Sequence, residues 1–204
     1  MLFMNTFINR LNGGKRAQKP AKRTNCPMPK RIEALRQALL ARSREILLHD
    51  GYDKLTIRAV AAACDVAVGT VYNYFPSKDM LVASVMLEDW LVALARMEAG
   101  AAAASDVLEG LEAVFDAITA FAATYTGAWA QYGAHAGAVP AYRDRHEQLI
   151  GQLQKIIEPL LMRFDRLFDP ALPPFLAETL LSASVRPGAQ FQRLSPILAR
   201  LLRD

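Results

Sequence analysis

Residues 55–78, LTIRAVAAACDVAVGTVYNYFPSK, decide how the rest of the chain is read. The stretch predicts two short helices joined by a tight turn. Thr56 is placed to cap the first, its hydroxyl accepting from an otherwise unpaired backbone N–H of the opening turn. Ile57, Val60, Ala61 and Cys64 recur at helical spacing and share one face. Asp65 tolerates the left-handed backbone that such a turn requires. The second helix runs from about Val68 to Phe75. Val71 and Phe75 face the first helix, and Thr70 and Asn73 point away from it. Pro76 ends it, and Ser77 caps the next helix with Lys78 in its first turn.

The second helix has little aliphatic bulk. Gly69, Thr70, Tyr72, Asn73 and Tyr74 dominate it, preceded by Ala67 and Val68. Small residues let a backbone approach a partner closely. Hydroxyls and an amide donate to phosphate oxygens and base edges. This is the composition a recognition helix in a DNA major groove requires.

The longer run GYDKLTIRAVAAACDVAVGTVYNYFPSKDML resembles the DNA-binding core of the TetR family of bacterial transcriptional regulators. The pattern covers roughly residues 32–86. Asp65 stands where that family most often has Gly, and Ala67 where many members have a Ser or Thr cap, which removes one side-chain donor from the DNA face. The resemblance implies a homodimeric, ligand-responsive regulator, usually a repressor, that binds operator DNA. It places Val68, Gly69, Thr70, Tyr72, Asn73 and Tyr74 in the groove. It gives Arg58 a base edge or phosphate, and Lys78 a phosphate at the next helix start.

Bulk properties agree. The 204 residues carry 24 Lys+Arg against 20 Asp+Glu, and 52% hydrophobic content with 22% charged excludes a disordered chain. The charge is uneven: residues 1–80 hold 14 basic and 6 acidic side chains, residues 81–204 hold 10 and 14. The basic end is the one with the DNA-binding motif. Much of that surplus lies in residues 1–29, read as a flexible basic arm. Either the arm adds non-specific phosphate attraction, or the native start is Met28; the second is favoured. Cys26 and Cys64 have no metal or redox spacing, which points to a reduced, cytoplasmic protein.

Residues 30–76 form the expected three-helix DNA-binding domain, beginning with a helix over 30–50 stopped by Gly51. Residues 77–204 form a helical domain for ligand binding and dimerisation. A long helix is expected over 77–104, with Leu91 and Ala95 on its inner side and a fraying end at Gly100. From Ala117 to Tyr142 no Asp, Glu, Lys or Arg occurs for 26 residues. That length would span a bilayer, but the run is only weakly apolar, so a buried helix pair fits better than a membrane span. Phe121, Tyr125, Trp129 and Tyr132 rise along one face, with small neighbours and His135 nearby. Such a row is most often core; here it is also a candidate pocket for an apolar or aromatic effector. A seam over 143–168 contains Pro159, expected to kink or split it. With a helix over 174–185 it forms the expected dimer interface, Leu176 and Leu180 included. A short helix over 194–202 closes the chain. Nothing alternates like a strand, so the fold is all-α.

No Gly-x-Ser-x-Gly, P-loop or Gly-x-Gly-x-x-Gly occurs, and His49, His135 and His146 have no ligand spacing. No enzyme, cofactor or metal site is expected. The alternative function is a regulator whose C-terminal domain only dimerises or binds a protein partner.

Overall fold

A computed structural model describes residues 28–133 and 141–203, with side chains described over 32–126 and 146–203. Eight α-helices and no strand occur among the described residues. They are α1 (Met28–His49), α2 (Ile57–Ala63), α3 (Val68–Tyr74), α4 (Lys78–Ala103), α5 (Val107–Gly133), α6 (Ala141–Arg163), α7 (Leu172–Ser184) and α8 (Ser195–Leu201), with a 3-10 turn at Phe191–Arg193 before the last. Contacts divide the described chain into two compact units. One comprises residues 28–88 with 127–133; the other comprises residues 89–126 and 141–203. The division falls inside α4, after Glu88.

In the first unit the helix ends follow from local chemistry. Gly51, at φ 85°, turns the chain after α1. Leu39, Leu40, Ser43 and Leu47 are the buried residues of α1, whereas Ile32 is half exposed. Thr56 accepts from the N–H of Ala59 at 3.0 Å. Asp65 takes φ 52°. The Val66 N–H bonds Ala61 O and the Asp65 N–H bonds Ala62 O, a Schellman closure that satisfies the last carbonyls of α2. Phe75 is extended because Pro76 follows it, and Ser77 Oγ caps α4 at the Met80 N–H.

In the second unit, Trp90, Ala93, Met97 and Ala101 form the buried face of α4. The expected inner residues Leu91 and Ala95 are exposed, because the face follows the bulk of Trp90 one position back. Gly100 does not mark a fraying end: a Cβ there would stand 2.6 Å from the Ala113 side chain, so the glycine lets α5 cross close by. Gly110 gives the same access to Leu160. Ser105, Asp106 and Glu109 box the start of α5: Asp106 accepts from the Glu109 N–H, and Glu109 accepts from the N–H and hydroxyl of Ser105. The Ser105 hydroxyl and backbone bonds hold the Glu109 carboxyl below its ordinary pKa.

Three expectations change here. Instead of a buried helix pair over 117–142, α5 is one helix to Gly133, and the next described helix begins at Ala141. α6 runs through Pro159 unsplit but ends at Arg163, not 168. There Asp165 turns left-handed at φ 53° and Arg166 N–H closes on Leu161 O, repeating the closure of α2. Leu176 and Leu180 are fully buried within the chain, in the close pairing of α6 with α7, so they are core residues of the monomer. The apolar side chains left exposed on this unit include Met162, Phe168 and Phe175.

Candidate nucleic-acid interface

Two short helices and the start of a third build the candidate site. Val60, Ala61, Val71 and Phe75 are buried where α2 packs on α3. That packing fixes which side of α3 remains outside. Val68, Gly69, Tyr72 and Asn73 are exposed, and Thr70 and Tyr74 are half-buried. Tyr72 keeps half of its surface in solvent. Nothing lies within 4 Å of a Cβ built on Gly69, so this helix start is open to an approaching surface. Ala67 caps α3 without a side-chain bond, as its apolar side chain dictates. Arg58, in the first turn of α2, is exposed.

Lys78 opens α4. Its ammonium stands 3.7 Å from the centre of the Tyr52 ring. Burial pulls its pKa below the ordinary lysine value, with Asp53 and Asp79 acting in the opposite direction. The segment 30–88 holds eight Lys or Arg and seven Asp or Glu. Its attraction to phosphate therefore depends on where individual cations stand rather than on net charge. Behind the exposed face, Arg36 bonds Glu88 at 3.2 Å and lies 5.9 Å from the Phe75 ring centre, so one side chain braces both the end of α3 and α4.

This stretch matches the tetR family of bacterial regulatory proteins over residues 39–85. The N-terminal domain belongs to the TetR family. Over 51 residues the chain is 45% identical to the HTH-type transcriptional repressor KstR of Mycolicibacterium smegmatis, covering 25% of each chain. Over 62 residues it is 32% identical to the HTH-type transcriptional regulator UidR of Escherichia coli, covering 30% of this chain and 32% of that one. These alignments span about a quarter to a third of the curated relatives' length. The fold likeness is longer. A TetR-family transcriptional regulator from Pectobacterium atrosepticum superposes with TM-score 0.64 at 23% identity, over 86% of this chain and 96% of that one. The regulator FadR from Bacillus subtilis, solved in complex with stearoyl-CoA, gives TM-score 0.53 at 18% identity, over 81% and 96%. The chain thus has a TetR-like fold: a helix-turn-helix domain followed by a helical C-terminal domain.

The candidate effector residues fare unevenly. Phe121 and Tyr125 are buried; Phe121 packs edge-on against Trp90 at 5.2 Å and against Tyr125 at 5.3 Å. The Tyr125 hydroxyl donates to Asp89, a carboxylate that α4 supplies and the uncharged run 117–142 lacks. The side chains of Trp129 and Tyr132, and His135 as a whole, lie outside the described residues. Two clefts of the second unit, about 350 and 260 Å³, have other walls: the first includes Glu158, Phe168 and Pro173, the second Glu98, Lys155 and Pro159. No group of His, Cys, Asp and Glu suited to a metal occurs among the described residues, and no described helix is long and apolar enough to cross a membrane.

Proposed function

We propose that this chain is a DNA-binding transcriptional regulator, a homodimeric repressor released from its operator by a small effector. The observation that carries the reading is the exposed polar face of α3, on a domain of the TetR family, with exposed Arg58 on the preceding helix and Lys78 at the start of the following one. In this reading Val68, Gly69, Thr70, Tyr72, Asn73 and Tyr74 enter one major groove. Arg58 and Lys78 take phosphates or a base edge, and a second copy repeats the contact one helical turn along the duplex. Exposed Met162 and Phe175, on α6 and α7, supply apolar surface for the dimer. The test is binding to duplex DNA from the region upstream of its own gene, with protection of an inverted repeat. Protection of a single half-site, or of none, would overturn it.

The proposed effector is largely apolar or aromatic and binds beside Phe121, Tyr125, Trp129, Tyr132 and His135. Asp89 at Tyr125 would repel an anionic group placed there, which favours a neutral guest. The stearoyl-CoA held by the B. subtilis FadR joins a long apolar acyl chain to a polyanionic CoA group, so only its acyl part is of the class proposed for this chain. A thermal-shift screen separates this reading from a C-terminal domain that only dimerises or binds a protein, because a ligand of the folded state raises the melting temperature by mass action.

A further inference from the structure

Lys78 is seated before any DNA arrives. Its ammonium lies 3.7 Å from the Tyr52 ring centre, and Tyr52 is only 7% exposed. The ring is itself anchored, because the Tyr52 hydroxyl donates to Asp79 Oδ1 at 2.7 Å. Tyr52 follows Gly51, whose φ of 85° sets the direction of the turn after α1. The start of α4 is therefore joined twice to one aromatic side chain, through Lys78 and through Asp79. A free lysine side chain loses rotamer freedom when it is fixed. A lysine already held on a ring has surrendered part of that freedom. An ammonium on a ring face still has N–H donors directed elsewhere, and Lys78 is only half-buried.

We propose that Tyr52 is a positioning residue for DNA binding: its ring holds the Lys78 ammonium where a phosphate meets it and continues to hold it in the complex. This rests on the reading of Lys78 as a phosphate contact. Tyr52 is buried and touches no DNA in that reading. It acts through Lys78, and the hydroxyl bond to Asp79 keeps its ring in register with α4.

The test uses the full chain with labelled lysine and a short mixed-sequence duplex at low salt. The ε-methylene protons of Lys78 should be shifted upfield by the ring in the free protein and remain so when duplex is added. Their return to the ordinary position on binding would show that the ammonium leaves the ring to reach phosphate, and would overturn the proposal. In affinity measurements Tyr52→Phe, which keeps the ring but not its bond to Asp79, should weaken binding less than Tyr52→Leu does. Tyr52→Leu should weaken binding by roughly three- to tenfold, and should add nothing in a Lys78→Ala background. Equal losses in both backgrounds would make Tyr52 a structural residue only. If Tyr52→Leu does not fold, the proton shifts of the wild type decide alone. A wild-type chain that binds no duplex would remove the proposed function itself; one that binds duplex with Lys78→Ala as tight as wild type would remove this proposal and leave the function standing.

Discussion

The indole N–H of Trp90 donates to Oε1 of Gln152 across 2.8 Å, joining α4 to α6 at a point where Trp90 is 1% exposed. A buried donor with its partner removed costs about 1–3 kcal/mol. Gln152→Ala should lower stability by that amount in urea denaturation, with the slope of the transition unchanged. An unmoved midpoint would mean that the indole finds a replacement partner.

On the DNA face, Lys78→Ala should weaken binding to every duplex tested and reduce the slope of log K against log salt by about one. Tyr72→Ala should weaken binding uniformly with little change in slope, because the phenol carries no charge. Asn73→Ala should instead alter which bases are preferred, by roughly 1–3 kcal/mol at one position. Competition titrations with single-base operator variants separate these outcomes.

Asp65 sits at φ 52°, where a side chain is strained and glycine is not. Asp65→Gly should stabilise the N-terminal unit by roughly 0.5–1 kcal/mol. Because Asp65 is outside the proposed DNA contacts, base preference should be unchanged. A lower melting temperature would show that the aspartate side chain contributes more than its backbone costs.

For assembly, Phe175 is 55% exposed in the chain, next to the fully buried Leu176. Phe175→Glu should give a folded monomer by sedimentation, with operator binding much reduced. Leu180→Glu should lose the fold altogether, since it places an unpaired charge in the core. A dimeric Phe175→Glu variant would place the interface on another face.

The helix ends were the most legible part of the sequence. Thr56, Asp65, Pro76 and Ser77 act through neighbours a few positions away, so their effect can be read from local chemistry. The same holds for the exposed side of α3, once Val71 and Phe75 are assigned to the core. What was not legible depends on distant partners. Helical spacing puts Leu91 inward, because it cannot tell which of two adjacent stripes meets Trp90's neighbours. Leu176 and Leu180 looked like an interface because an apolar face has the same pattern whether its own chain or a second copy covers it. The 2.5 Å contact of His146 with Glu178 joins α6 to α7, and no spacing rule links residues so far apart. Asp89 beside Tyr125 changes the charge of a stretch that contains none of its own. The left-handed stop at Asp165 had the same chemistry as Asp65, but the apolar seam running past it suggested a longer helix.

Arg163 donates to the carbonyls of Ala102 and Ala104 at the end of α4, and the Ala102 contact measures 2.6 Å. Together with Gln152 it attaches α6 to α4 at two separate levels. Deleting or inserting one residue of α4 between Trp90 and Ala102 would swing the far end by about 100° and displace it by about 1.5 Å, so one attachment could hold only if the other let go. The interval between those two residues is therefore fixed in length as well as in composition. Natural variation there should be confined to substitutions, with gains and losses of residues accumulating in the connections between helices instead.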